Sequence, residues 1–478
     1  MSQMLLKLLA MLPIECLVRA QIRLKSSNED QFKDAWQYSL DQQNLLKHLG
    51  GMGPYVESSG FGLPVNPPPK GLTVDRAFVL ARHGERFPTV SVGDDLNATY
   101  TKLKKANAEL KQPDNGPLKF VYNWEYLTED PSNYENLTWT GRFNGFTETY
   151  KMGQLIAEQY SHLYDPKQVL PVFAADKKRV YESAVSFANG FLNTNDYYSL
   201  PDPELAVVVP ISESKQSGAD TLTTGKSCKP YHKQSNYRPH KRYNPTFLHV
   251  EAARLNKASP GYDITSEDVE NLCALCAFEL NRFGHSEVCQ ALSQETLVGF
   301  EYIRDTLLYY TKANHPFTFI LGSVYVNATL TLFESDKIPY NGQKIWVSFS
   351  HDTDLLYYLN SIGVLDYQLE DGDLSIDKID FHRFFKTSEL IPMGARIIVE
   401  RLSDASDNKW VRVIVNGNVI PLKNCQDGVG YTCSLSKLRD LFMKRLGDDE
   451  YTRWCKVKHK RPQWLKFYWD WKNRIESN

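Results

Sequence analysis

The chain of 478 residues carries 55 Lys and Arg against 57 Asp and Glu, a formal net charge of −2, with 42% hydrophobic and 23% charged residues. So even a balance removes the electrostatic reason for nucleic acid to be the main partner, and no stretch reaches the roughly 20 uninterrupted apolar residues of a membrane span. The length exceeds one simple core and predicts two packed lobes, or one domain with large insertions.

Residues 1–45 are read as an N-terminal segment apart from the fold, a weak signal or propeptide. "MSQMLLKLLAMLPIECLVRA" holds a short apolar patch, split by Lys7 and ended by Pro13 and Glu15. A secretory signal places its positive charge ahead of about 7–15 apolar residues, so a plain amphipathic helix is the other reading. Residues 21–75 pass from polar to rich in Gly and Pro, an extended lead-in. "DRAFVLA" (75–81) is a strand-length apolar run with a turn signal behind it. Residues 90–140 read as polar and irregular. "GFTETYKMGQLIAEQYSHLY" (145–164) has apolar residues near helical spacing, "VLPVFAAD" (169–176) is a second buried strand, and "RVYESAVSFANGFL" (179–192) a helix after it.

Residues 201–295 change character: a turn-rich run "SESKQSGADTLTTGKSCKPY", a basic patch "YHKQSNYRPHKRY", then helical stretches with Cys273, Cys276 and Cys289. This block is predicted to be an inserted, mainly helical cap, joined by part of 92–140. Beyond it "KIWVSFS" (344–350) is a strand, "HDTDLLYYLNSIG" (351–363) a helix ending at Gly363, and "GARIIVERL" with "KWVRVIVNG" a hairpin. Strands alternating with helices, then an antiparallel pair, predict an α/β domain over 46–200 and 296–478 built on a mixed sheet flanked by helices.

Three segments share one plan, an apolar strand that ends in Arg or His and feeds a helix: "FVLARHGER", "PVFAADKKRVYESA" and "WVSFSHDTDLL". The carboxyl ends of strands in open α/β sheets open onto a common crevice, so Arg82, His83, Arg86, Arg179, His351 and Asp352 are expected to converge there. That inventory suits a phosphate monoester. Guanidinium groups fork onto phosphate oxygens and stay charged. Gly84 would let the backbone approach the anion, with a following helix aiming amides at it. An imidazole among arginines stays unprotonated and is a competent nucleophile, and Asp352 supplies a general acid for the leaving alcohol. Taken singly these residues are weak signals: a lone strand-end His is usually structural, and Arg179 in "DKKRV" suits a solvated helix start. No role is assigned to Glu85.

"ARHGERFPTVS" together with "SFSHDTDLLYYLNSIGV" closely resembles the histidine acid phosphatases, in their fungal branch of secreted yeast acid phosphatases and phytases. The likeness runs from about residue 45 and takes in "HLGGMGPY", "RVYESAVSFANGF", "SGADTL", "CAFELNRFGHSEVC", "PMGARIIVE" and "FYWDW". The resemblance implies the histidine-phosphatase fold with its helical cap, His83 as the nucleophile that becomes phosphohistidine, and Asp352 as the acid that protonates the leaving oxygen. It implies that Arg82, Arg86, Arg179 and His351 hold the phosphoryl group, and that neither metal nor other cofactor is required. It also implies the disulfides Cys276–Cys289, Cys425–Cys433 and Cys228–Cys455, leaving Cys273 and Cys16 unassigned. A cysteine that fungal relatives usually carry near "KGLTVD", and its partner near "ERLSDASD", are both missing here.

The expected activity is therefore that of an acid phosphatase on small-molecule phosphate monoesters. A phytase or other inositol-polyphosphate phosphatase is the alternative, favoured by Lys226, Lys229, His232 and Arg238, and a catalytically silent cell-wall phosphate-binding glycoprotein is the non-enzyme alternative. No nucleic acid and no membrane span are expected, and a homo-oligomer is compatible with the chain. "NCQDGVGYTC" reads as a disulfide-closed loop, and three N-x-T sequons stand at Asn97, Asn136 and Asn327. These point to an oxidising compartment, hence a secreted protein of the cell wall or periplasmic space. In that setting Cys273, Cys276, His285 and Cys289 read as a disulfide with a spare thiol before they read as zinc ligands. The basic patch reads as a solvated loop or a rim that attracts anions, and the C-terminal aromatics as packing onto the core.

Overall fold

A computed structural model describes residues 44–233, 238–335 and 342–475; Cys16, nearly all of the N-terminal segment and the side chain of Arg238 lie outside the described residues. An eight-stranded mixed sheet carries the fold: β1 (Thr73–Arg82), β2 (Leu170–Ala175), β3 (Ala206–Ile211), β4 (Ile345–Ser350), β5 (Arg396–Ser403), β6 (Lys409–Val415), β7 (Asn418–Val419) and β8 (Cys433–Ser434). The order is β3-β2-β4-β1-β5-β6-β7, with β8 on β6. β1 to β4 run parallel, Arg82 standing opposite Ser350 and Ala175 opposite Ile211, while β5 turns antiparallel onto β1 and pairs with β6. The central strands are continuous apolar runs because helices cover both faces of a parallel sheet: all six residues of β2 and of β4 are buried.

The long helices are α1 (Val90–Glu109), α2 (Gly145–Tyr160), α3 (Lys178–Phe191), α4 (Thr246–Ala258), α5 (Ser266–Phe283), α6 (Gln294–Leu308), α7 (Thr318–Glu334), α8 (Asp352–Ile362), α9 (Leu435–Leu446) and α10 (Phe467–Ile475). Asn144 caps α2 by accepting from the Thr147 amide, and Thr265 closes a capping box with Asp268 on α5. α2 and α3 cross at backbone contact. A Cβ on Gly190 would lie 2.0 Å from the Tyr150 carbonyl, and one on Gly153 2.2 Å from that of Phe187, so only glycine permits this approach.

Two apolar cores result. One surrounds the sheet, with α2, α3, α7, α8 and α10. The other gathers Leu96 and Leu103 of α1, Phe120 and Trp124, the apolar faces of α4, α5 and α6, and Phe87 and Met393. Two details differ from the sequence reading. Residues 90–109, expected to be irregular, form a 20-residue helix; its buried positions are only Gly93, Leu96, Thr99 and Leu103, too thin an apolar stripe to stand out among polar residues. The helical block also begins later than residue 201. β3 is a strand of the main sheet, and Leu222, Cys228 and Tyr231 pack into the sheet's core.

Among the described residues no single helix is long and apolar enough to cross a membrane; α6 with the turn after it and α7 pass that test only as a pair bent by 72°. Among the described residues three disulfides join Cys228 to Cys455, Cys276 to Cys289 and Cys425 to Cys433, and Cys273 is a buried free thiol. With Cys276 and Cys289 bonded to each other, the zinc reading of that cluster falls.

Candidate active site

The parallel strands deliver their charged ends to one edge. The Arg82 amide donates to the Ala395 carbonyl (2.7 Å), the His83 amide to Ser350 (3.0 Å), and Gly394 to the His83 carbonyl (3.0 Å), so the sheet holds the backbone one residue beyond β1. β4 hands over His351 as the residue before α8 and Asp352 as its first residue. β2 leads within four residues to Arg179 in the first turn of α3. His83, Arg86, Arg179, His351 and Asp352 line a cavity of about 360 Å³, together with Lys226, His232 and Lys312.

Arg82 lies behind this wall, 2% exposed. Its Nη1 donates to the carbonyls of Gly51 (2.6 Å) and Ile391 (2.5 Å), and its Nη2 to Asp352 Oδ2 (2.9 Å). The glycine-rich "HLGGMGPY" thus serves to wrap this guanidinium. Arg86 Nη1 donates to the Phe87 carbonyl (2.7 Å), and Arg179 Nη1 reaches Glu135 Oε2 at 3.3 Å. The Nε atoms of Arg82, Arg86 and Arg179 are all buried with no hydrogen-bond partner among the described residues. Buried donors are normally satisfied, so three such N–H groups, on the arginines whose charges act on His83, call for an acceptor. Asp352 and Glu135 offset part of the charge of the three guanidinium groups, and an anion is the acceptor whose chemistry suits the remaining donors.

His83 Nδ1 lies 2.8 Å from the Gly84 carbonyl. A carbonyl only accepts, so Nδ1 carries the proton and Nε2 keeps its lone pair. Burial, then the charges of Arg179, Arg82 and Arg86, hold the imidazole well below the usual histidine range, which keeps it neutral and nucleophilic. The His83 and His351 rings stand 5.8 Å apart, nearly edge to face. Burial and Arg179 likewise bring His351 down to about 3. For Asp352, burial acts upward, but Arg82 and Arg86 outweigh it and hold the carboxyl at about 2. Asp352 is therefore a carboxylate in this arrangement.

Gly84 corrects the sequence reading. Its amide donates to Ser183 Oγ (2.9 Å), and a Cβ there would lie 2.7 Å from the Gly145 carbonyl. The glycine makes room for the start of α2 and not for an anion, and the helix beyond it begins only at Val90.

Four acidic residues near the site carried no sequence signal. Glu213, two residues past β3, bridges His351 Nε2 (2.7 Å) and Lys226 Nζ. Glu135 meets Arg179. Glu85 is fully buried, accepts from the Tyr55 amide (2.9 Å), and is raised by burial to about 8. Asp354 is raised to about 7, chiefly by burial and with Asp352 adding to it. Ser350 Oγ lies within hydrogen-bond reach of both the Leu222 carbonyl and Asp354 Oδ2 (3.0 Å). The hydroxyl donates to either acceptor, and its bond to Asp354 opposes the upward shift without outweighing burial. Of the sequons, Asn97 and Asn327 are exposed on helices, and Asn136 is half-buried with its amide donating to the Ser132 carbonyl.

The family model for the histidine phosphatase superfamily (branch 2) matches residues 73–416, and the chain belongs to that family. Among curated proteins it is 36% identical over 443 residues to acid phosphatase PHO1 of Komagataella pastoris, covering 90% of this chain and 91% of that one. It is 35% identical over 442 residues to phytase PHO112 of Candida albicans, covering 91% and 92%. The crystal structure of the phytase from D. castellii superposes with a TM-score of 0.83 at 32% identity, over 90% of this chain and 92% of that one. The histidine-phosphatase fold is thereby that of this chain.

Proposed function

We propose that the protein hydrolyses phosphate monoesters through a phosphohistidine at His83. Its class, an acid phosphatase and so a phosphoric monoester hydrolase, follows from the family and the curated relatives. The assignment of steps to residues rests on one observation: His83, with its Nε2 lone pair bare, feels the charges of Arg179, Arg82 and Arg86, each of which keeps a buried Nε donor without a partner among the described residues.

In this reading the phosphoryl group enters the cavity with its oxygens on Arg82, Arg86 and Arg179, which neutralise the charge of the in-line transition state. His83 Nε2 attacks phosphorus and the P–O ester bond breaks. The departing oxygen takes the proton of Asp352. Water then attacks phosphorus and the P–Nε2 bond breaks, Asp352 takes a proton from that water, and phosphate leaves with His83 restored. Asp352 begins as a carboxylate, and a bound dianion cancels the arginine charge that keeps it so, raising its pKa and letting it hold a proton at acid pH.

Phytate is the second reading. Lys226, His232 and Lys312 place cationic groups along the same cavity, suited to the further phosphates of a polyanion. Relative rates on phytate and a simple monoester decide between them. Three disulfides favour an oxidising, extracellular setting; within it we propose the cell wall or periplasmic space, with glycans on the exposed Asn97 and Asn327.

The mechanism is tested by His83→Ala together with rapid quench in labelled substrate under alkaline conditions. Turnover should vanish, and label should reside on His83 of the wild-type enzyme; normal turnover in the variant would overturn the assignment.

A further inference from the structure

Glu213 belongs to no motif, yet its side chain is only 5% exposed and touches two groups of the cavity at once. Oε1 lies 2.7 Å from His351 Nε2, and Oε2 meets Lys226 Nζ. A carboxylate accepts, so the proton of a neutral His351 ring is fixed on Nε2 and Nδ1 is left as a bare lone pair. A bare lone pair cannot hydrogen-bond an anion. The groups around His351 come from every side: His83 and Arg86 from the loop after β1, Arg179 from α3, Lys226 and Glu213 from the stretch after β3, and Asp352 from its own helix. Burial, and then their net positive charge, keep the ring neutral, and a bound dianion reverses the charge part.

We propose that Glu213 is a positioning residue, which fixes the His351 tautomer and steadies Lys226 at the cavity, so that His351 takes up one proton at Nδ1 from solvent when a dianionic phosphoryl group binds. The proposal rests on the reading of the cavity as a phosphate site. The proton converts imidazole to imidazolium, its new N–H donates to the anion, and Glu213 supplies the negative charge that stabilises the cation.

Sulfate is the probe, because it stays a dianion at pH 6 and brings no proton of its own. Asp352 would also take up a proton, so the measurement uses the Asp352→Asn background. Calorimetric titration in buffers of differing ionisation enthalpy should give about one proton taken up per sulfate. In Asp352→Asn/Glu213→Gln the uptake should fall towards zero and sulfate should bind about 10-fold or more weakly, the scale expected for losing a charged partner. Undiminished uptake and affinity in the double variant would overturn the role of Glu213. Should that variant not fold, histidine 15N spectra of the wild-type protein, with His351 assigned through His351→Asn, serve instead. The Nε2–H tautomer without sulfate and a doubly protonated ring with it support the proposal, and a ring that stays neutral overturns it. If sulfate fails to bind and His83→Ala keeps its turnover, the phosphate-site reading itself has failed.

Discussion

Arg82 Nη2 and Asp352 Oδ2 meet at 2.9 Å across the ends of adjacent parallel strands. The pair joins the charge that binds phosphate to the group proposed to protonate the leaving alcohol. Two backbone carbonyls, of Gly51 and Ile391, fix the guanidinium so that it cannot follow Asp352 away. The carboxyl therefore ionises at about 2 while Arg82 acts on it, and gains a proton only when another anion takes over that charge.

Asp352→Asn consequently separates substrates by leaving group. Alkyl phosphates, whose alkoxide needs the proton, should slow by roughly 10²–10⁴-fold. p-Nitrophenyl phosphate, whose phenolate leaves unprotonated, should slow far less. Steady-state rates on the two substrates measure the ratio; equal slowing would contradict the acid role.

Stability should also peak on the acid side of neutrality. Burial lifts Glu85 to about 8 and Asp354 and Glu279 to about 7, while in the unfolded chain these groups ionise near 4. For these three the folded state binds more protons between those values, so their contribution falls as pH rises from about 4 towards 8. His83 and His351, held neutral in the fold, act with the opposite sign below about 6.5, so the net fall is steepest from there towards 8. Other carboxyls act oppositely. Asp75, Asp268 and Glu251 are held low, against burial, by Arg401, Lys102 and Arg254, and their contribution disappears as pH drops below about 4. Melting temperature across pH 3–8 should trace a maximum between these limits, and Asp354→Asn should flatten its neutral limb. A maximum at pH 7 or above would contradict the protonation assigned to these carboxyls.

The strands and the arginine–histidine wall were legible because a buried parallel strand is a continuous apolar run and its charged terminus is abrupt. "FVLARHGER" and "WVSFSHD" show both at once. Glu213 was not legible. It lies in a turn-rich stretch without periodicity, and its partner His351 is 138 residues away, a pairing made only by β3 and β4 flanking β2. Glu85 likewise looked like one more charge in a charged motif, and only its burial against Tyr55 marks it as a neutral acid. Gly84 was legible as a special position, but its neighbour was not: the Gly145 carbonyl takes the space that phosphate was expected to use.

That contact gives a packing prediction. A Cβ on Gly145 would lie 2.2 Å from the Glu85 carbonyl, whose oxygen already accepts from the Thr138 amide (3.0 Å). Neither backbone can yield without moving the loop that carries His83 and Arg86. Gly145→Ala should cost about 1–3 kcal/mol in stability, the usual range for overpacking, and should lower kcat/KM because displacement of about 1 Å at reacting groups already costs roughly 10²-fold. Urea unfolding and kinetics on one substrate check both parts; wild-type values for both would mean the α2 start adjusts freely.

The last prediction concerns the segment after β3, which carries Glu213 and Lys226. Cys228 ties it to Cys455, 227 residues later, and Tyr451, on the same C-terminal turn, donates its hydroxyl to the Thr224 carbonyl (2.8 Å). The disulfide therefore closes a very large loop and also anchors one wall of the cavity. Removing both sulfurs, as Cys228→Ala/Cys455→Ala, should destabilise the fold by roughly 2–5 kcal/mol, seen as a lower urea midpoint. The remaining folded enzyme should show a raised KM with a smaller change in kcat, because Lys226 loses its anchoring while the His83 wall, held by β1, β4 and β5, does not. A fall confined to kcat would place the strain in the nucleophile loop, contrary to the separation of the two walls.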